Sequence, residues 1–533
     1  MGNKAYKPRR DKDIVYPEMR DNCGVVVAYG VRTAYELISK LQHRGQDMVG
    51  FGVLTKTGIN IVKYAGAVKQ MTCDSLLSSL SLDEDEINNS LVIAHVKYRT
   101  TGGIDLLGAH PQWNGDEREF HQEGSRLQII YGAEKAVVHN GDCPNYHALR
   151  AREERDGYRF KYNCDSEVFL PCFEKGGIEG IMQDIPAAYV AALMTEAGVR
   201  IFKDRFGIRP GWFGRDDEGR PLFASEDVAI QQCGYTPVRE IGAGENVIFH
   251  RNYNEAPTET RIVIPEIEHP CIFEWQYLMR VLRGEDGNGA GSTFCGASSL
   301  DVRRAYGPII ADSCRDLDVD YVSYFPHSPW AAAETLAEAL GVEFADLMIK
   351  LRSQRSFLEP TMELRWESIL ENLMVNPRYA EEIGKGARVL MVDDSLIRRI
   401  VSSVGASKLY EAGAEWLGLA LYTDMIGDHD RGCCLGVAMP PSGEFITSVA
   451  GRDTKAIRKM IGYFENYRNG FPGLTAVPDR ELDFLSYMPV DRMTETVKHH
   501  IALSGRDPEK YDPCTICMTG DDGWLREALK RAA

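Results

Sequence analysis

"MRDNCGVVVAYG", residues 19–30, sets one thiol at the head of a short apolar, β-branched run bounded by Gly24 and Gly30. Such a run reads as a short β-strand. Cys23 stands at its first position, behind a basic, proline-containing preamble with no foldable pattern. By residue type alone, a lone cysteine before a strand is a small buried hydrophobe. Further β-type runs follow: "GFGVLT" at 50–55, "LVIAHVKY" at 91–98, "AVVHNG" at 136–141, "AAYVAALM" at 187–194 and "ENVIFH" at 245–250. Between the run headed by Cys23 and "GFGVLT", "TAYELISKLQHRG" is a helix that closes on Gly45. The order suits a layered α/β body built on antiparallel sheets.

After "IEHPCIFEW", residues 267–275, the texture changes. Helical "VRRAYGPIIADSC", "WAAAETLAEALG" and "SSVGASKLYEAGA" alternate with the strands "VDYVSYFP", "ARVLMVDDS" and "EWLGLALYT". That alternation predicts βαβ units and a parallel sheet. A chain of 533 residues exceeds what one core serves, so two domains meeting near 265–275 are expected. The tail from about 480 reads as mixed helix and turn.

A net charge of -17 argues against a nucleic-acid surface or an anionic membrane as partner. The sequence has no apolar run long enough to span a bilayer and no signal-type h-region at residues 1–13, so a cytoplasmic location is expected. Thirteen cysteines without an export signal fit thiols, metal ligation or catalysis better than a disulfide framework.

Polar groups cluster at the ends of apolar strands in "LQHRGQDMVG" (41–50), "HVKYRTTGG" (95–103), "HNGD" (139–142) and "CDSEV" (164–168). In this order behind Cys23, they resemble the glutaminase domain of class II (N-terminal nucleophile) glutamine amidotransferases. The resemblance implies an Ntn-hydrolase αββα sandwich over residues 23–265 and a propeptide over 1–22. Removal of the propeptide frees the α-amino group of Cys23 to act as the thiol's own base, which an amide nitrogen cannot do. It also implies an oxyanion hole from the Asn140 side chain and the Gly141 N–H. Substrate contacts are implied for Arg44, Lys97 and Asp165, with Asp165 gripping the α-amino group of glutamine. Lys97 stands where the family carries an arginine, keeping the charge but losing the planar fork.

"VLMVDDSLIRR", residues 389–399, puts Asp393 and Asp394 at the C-terminal end of an apolar strand, where ligands bind in open α/β sheets. Read without context, the pair is a strand-end turn. The stretch resembles the type I phosphoribosyltransferase fingerprint, in which the acids meet ribose hydroxyls and help hold Mg²⁺. Together the two halves resemble the amidophosphoribosyltransferase family, with a phosphoribosyltransferase-like domain over 266–480 and a C-terminal segment over 481–533. The implied reaction passes ammonia from glutamine to C1 of phosphoribosyl pyrophosphate (PRPP), the first step of purine synthesis. Arg355, in a mobile-loop-like "RSQRSFLEP" at 352–360, is an implied substrate contact; Ser328 can still ligate Mg²⁺, and Arg398, Arg399 and Ser402 offer charge and a hydroxyl for a shifted phosphate cradle as substrate contacts. The chain departs from the family at two loops. Ile400-Val401 replaces a Gly-Thr-Thr phosphate cradle, and Pro326-His327-Ser328-Pro329 replaces an acidic and polar pyrophosphate loop. A different phosphorylated acceptor, or a nucleotide-sensing protein with an inactive transferase domain, therefore stay open as alternatives.

"PCTICMTG" holds Cys514 and Cys517 at metal-ligand spacing, which by itself suits zinc first. One branch of the family binds a [4Fe-4S] cluster with such a pair and two distant cysteines. Carried over, these are Cys271 and Cys433, with Cys434 an adjacent contender. Zinc remains the rival. The family also implies purine-nucleotide regulators and a homo-oligomer.

Overall fold

The computed structural model describes residues 23–97, 106–115, 119–161, 164–284, 288–351, 361–427, 432–437, 439 and 443–532. Two sheets face each other in the N-terminal half. One has nine described strands, in the order 236–240, 212–215, 221–224, 24–29, 91–97, 48–55, 58–65, 127–133 and 119–123. The other has six, in the order 258–261, 245–250, 198–203, 188–195, 135–142 and 112–114. The pairings within both are antiparallel.

The strand Gly24–Tyr29 shows why this half needs unbroken apolar runs. Val25, Val27 and Tyr29 point into the core between the sheets, against Val138, Val190 and Ala192 of the second sheet. Val26 and Ala28 point the other way, beneath Ala34, Leu37 and Ile38 of the helix Val31–Lys40. The second sheet is likewise roofed by the helices Tyr146–Arg155 and Phe169–Asp184 through Leu149, Ile178 and Ile181. With period-2 alternation and both faces covered, no position on the strand is left for water. The result is the expected αββα sandwich.

The second half is built on five parallel strands in the order 343–344, 321–324, 388–393, 416–421 and 484–487. In the strand Arg388–Asp393, Leu390 and Val392 face the helices Ser299–Cys314 and Trp330–Leu340, while Val389 and Met391 face Ile400–Glu411 and Met362–Asn372. The edge strand Phe484–Tyr487 belongs to this sheet, so the transferase-like fold runs past residue 480, where the sequence placed its end. Beyond it, the helix Val490–Leu503 packs on Ser299–Cys314, and the tail returns to the junction. Glu268 and Cys271 form parallel bridges with Tyr511 and Cys514. Among the described residues no helix is long and apolar enough to cross a membrane.

Candidate active site

Cys23 sits at the mouth of the inter-sheet space, 4% exposed, one residue ahead of a strand clamped between 91–97 and 221–224. Its backbone nitrogen donates to Asn140 Oδ1 at 3.4 Å. That contact orients the Asn140 amide and leaves its Nδ2 buried without a hydrogen-bond partner among the described residues. A buried, unsatisfied donor is costly unless a ligand meets it. Gly141, next along, has φ 152°, and a Cβ there would lie 1.7 Å from the Ala188 carbonyl oxygen. Only glycine fits, and its backbone is pinned against the neighbouring strand.

Arg44, expected on the substrate, is spent on the protein. Its Nε donates to the Cys23 carbonyl at 2.9 Å, one terminal nitrogen to Glu226 at 2.6 Å, and the other to Glu274 at 2.9 and 3.1 Å. Fully buried, it has no donor left for glutamine and acts as a positioning residue for Cys23. Glu274 also accepts from Arg209 at 2.9 Å, and Arg209 donates on to the Leu435 carbonyl at 2.6 Å. Gly436 then abuts Gly141, a Cβ at Gly436 falling 2.8 Å from the Gly141 carbonyl carbon. A chain of contacts thus leaves Cys23 through Arg44, Glu274, Arg209 and Leu435 and returns at Gly141. Lys97, at the end of its strand, is buried and donates to the Gly108 carbonyl at 3.4 Å. Asp165 opens the turn Asp165–Val168, where its carboxylate accepts the Cys143 N–H at 3.3 Å.

At the C-terminal ends of the parallel strands lies a cavity of about 520 Å³, lined among others by Ser328, Lys350, Arg365, Asp393, Asp394, Arg398 and Ser402. Burial, and then its neighbour's charge, push the Asp393 carboxyl well up; burial raises Asp394 to about 6. Ser395 Oγ donates to Asp394 at 2.6 Å, and Thr423 Oγ1 donates to the Asp394 carbonyl at 2.7 Å, fixing the turn. Two adjacent buried carboxyls facing a cavity are suited to a divalent cation or to sugar hydroxyls. Arg398 is gripped by Glu444 at 2.8 Å, and one of its terminal nitrogens is buried without a hydrogen-bond partner among the described residues. Burial, and then Arg365, lower its pKa to about 10. Glu444 binds Arg365 as well, at 3.3 Å. Neither Arg365 nor Glu444 carried a sequence signal. Arg399 lines the cavity, but its guanidinium donates to the Met460, Gly473 and Ala476 carbonyls and lies over the Phe464 ring. It is a backbone clamp rather than the expected substrate contact. Ile400 and Val401 line the cavity where a phosphate cradle was sought. Arg355 and residues 1–22 lie outside the described residues.

Cys271, Cys433, Cys514 and Cys517 are all buried at the junction and act electrostatically on one another. Burial pushes the Cys271 thiol up to about 12. The N–H groups of Phe273, Leu435 and Ile516 reach the sulfurs of Cys271, Cys433 and Cys514, each two residues back in the chain. The Leu435 contact to Cys433 is 3.2 Å. Among the described residues, no three of these sulfurs lie within 4.8 Å of one another. A single zinc needs sulfurs about 3.8 Å apart, from bonds near 2.3 Å in tetrahedral geometry. The N–H···S contacts suit thiolates that serve as metal ligands.

The fold and both sites define a glutamine amidotransferase joined to a phosphoribosyltransferase-like domain. Residues 128–269 match the family model described as a glutamine amidotransferase domain. Over 523 residues the chain is 30% identical to the chloroplastic amidophosphoribosyltransferase of Vigna aconitifolia, covering 94% of this chain and 95% of that one. It is 27% identical to the amidophosphoribosyltransferase of Methanothermobacter thermautotrophicus, covering 95% of each. It belongs to the amidophosphoribosyltransferase family of enzymes. Two solved structures share the fold. One is the allosteric regulatory enzyme of purine biosynthesis, with TM-score 0.72, 24% identity, and coverage of 94% of this chain and 96% of that one. The other is the glutamine PRPP amidotransferase of B. subtilis, with TM-score 0.71, 23% identity, and coverage of 94% and 97%.

Two outcomes are expected. Glu274→Ala leaves Arg44 and Arg209 buried without their shared carboxylate, a loss of about 3–5 kcal/mol that lowers Tm by on the order of 10 °C. An unchanged melt would remove Glu274 from its central place. For Asp394 the sign of the pH effect is fixed by its raised pKa. The folded state holds a proton that the unfolded state has released between pH 3.8 and about 6, so apo-protein stability falls as pH rises through that window. Asp394→Asn should therefore stabilise the apo-protein at pH 7 by on the order of 2–3 kcal/mol while weakening acceptor binding. A destabilised variant at pH 7 would contradict the assignment.

Proposed function

We propose that this chain hydrolyses glutamine at Cys23 and passes the ammonia to C1 of PRPP, giving 5-phosphoribosylamine and pyrophosphate. The observation that carries the glutaminase half is the Asn140 amide, which holds the Cys23 nitrogen with its oxygen and keeps a buried N–H pair for an oxyanion. With residues 1–22 removed, the Cys23 amine takes the thiol proton as sulfur attacks the side-chain carbonyl of glutamine. Asn140 Nδ2 and the Gly141 N–H stabilise the oxyanion, and the proton leaves with ammonia. Water then cleaves the γ-glutamyl thioester to glutamate. Lys97 pairs with the α-carboxylate and Asp165 with the α-ammonium group of the substrate.

In the transferase half, Asp393 and Asp394 would meet the ribose hydroxyls and, with Ser328, hold Mg²⁺. The cation supplies charge neutralisation for the departing pyrophosphate. Arg398, Arg365 and Ser402 supply donors for the phosphate end that the missing cradle would have given. Ammonia attacks C1 as the C1–O bond to pyrophosphate breaks. Cys271, Cys433, Cys514 and Cys517 would hold a [4Fe-4S] cluster, which supplies structural cross-linking of the tail to the junction. The amidotransferase of B. subtilis was solved with ADP and GMP, and purine nucleotides are the proposed regulators here too. Ile400 and Val401 on the cavity wall favour a second reading, an amidotransferase with a different phosphorylated acceptor.

Glutamate release from glutamine should be followed with and without PRPP and Mg²⁺, alongside pyrophosphate, on anaerobically purified protein whose iron is counted. The proposal expects PRPP to stimulate glutamate release, pyrophosphate to appear in step, and about four irons per chain. Glutamate without pyrophosphate would transfer the case to another acceptor. One zinc in place of iron would refute the cluster.

A further inference from the structure

Beneath the glutamine pocket lies a set of ligand-type side chains that the reaction above does not use together. His139 lies in the buried strand Lys135–Asp142, Cys143 directly follows that strand, and Asp165 opens the turn Asp165–Val168. One ligand atom from each lies within 4.8 Å of the other two. His139 and Cys143 are buried, 2% and 0% exposed. His139 Nε2 is 3.6 Å from Asp165 Oδ2, within the range of about 3.3–3.8 Å that separates ligands around one tetrahedral zinc. The other ring nitrogen, Nδ1, is hydrogen-bonded to Ser166 Oγ at 2.9 Å. That contact fixes the ring with Nε2 toward Asp165, the outer-shell support that metal-bound histidines have. Ser166 is itself held by His110.

We propose that His139, Cys143 and Asp165 form a binding site for a borderline divalent cation of the zinc type, and that its occupancy blocks glutamine. An imidazole, a thiolate and a carboxylate are a donor set that favours zinc over magnesium or calcium. Binding releases the thiol proton to solvent. The dication is then balanced by thiolate and carboxylate, so the filled site buries no net charge. Three protein ligands leave a fourth position open for water. The blocking half rests on the reading of Asp165 as the anchor of the substrate's ammonium group, because metal and ammonium would claim the same carboxylate.

The test is equilibrium dialysis of Zn²⁺ against the anaerobically purified full chain with its own metal content, comparing wild type, Cys143→Ser and Cys164→Ser. Cys164 is a neighbouring buried thiol outside the triad. Wild type and Cys164→Ser should bind one more zinc per chain than Cys143→Ser. Zinc should inhibit glutamine hydrolysis competitively, with an inhibition constant about tenfold or more higher in Cys143→Ser. Equal stoichiometry in all three proteins would overturn the site. Lost stoichiometry with inhibition that glutamine does not relieve would leave the metal site standing and overturn the Asp165 anchor. X-ray absorption at the zinc edge needs no variant: a shell of mixed sulfur, nitrogen and oxygen supports the site, and an all-sulfur shell overturns it.

Discussion

Glu274 receives two buried arginines from different places in the N-terminal half, and the rest of the site hangs from that contact. Arg44 reaches it from behind Cys23 and Arg209 from the loop facing the cysteine-bearing segment. All three side chains are fully buried. Desolvating one carboxylate and two guanidinium groups is unfavourable unless donors are met, and the further donors of Arg44 end on Glu226 and the Cys23 carbonyl and one of Arg209 on the Leu435 carbonyl, while Arg209 Nε is buried without a hydrogen-bond partner among the described residues. The result is a continuous set of contacts from the transferase side of the junction to both Cys23 and Gly141. Gly436 packs so close to Gly141 that a side chain at position 436 would meet the Gly141 carbonyl.

The junction cysteines belong to the same structure. Cys271 lies three residues before Glu274, and Cys433 two before Leu435, so two of the four thiols sit in the same short segments as both partners of Arg209. Burial disfavours the bare thiolates, and metal binding is the condition under which they remain ionised. The tail, bridged to the junction at Cys271 and Cys514, closes the assembly from outside.

Much of this was legible in the sequence because it is carried by short-range patterns. The short apolar runs were legible as strands, and Asp393-Asp394 at a strand end marked the cavity that the two carboxyls line. What escaped was the use of charge over long distance. Arg44 and Arg399 read as substrate contacts, yet both guanidinium groups are consumed inside the protein, by Glu274 and by three carbonyls. No local pattern tells a spent guanidinium from one awaiting a ligand. Arg365 and Glu444 come from segments about eighty residues apart and meet only in the fold. The strand Phe484–Tyr487, four residues with a serine among them, is set by pairing with 416–421 rather than by its own composition.

The account turns on the nitrogen of Cys23. Placed against Asn140, it has a catalytic purpose only as a free amine, since an amide there accepts no proton. The direct measurement is the intact mass of the anaerobically purified protein beside that of Cys23→Ala. The account predicts that residues 1–22 are missing from the active protein and retained in the variant. Full-length protein that hydrolyses glutamine at an undiminished rate would contradict it.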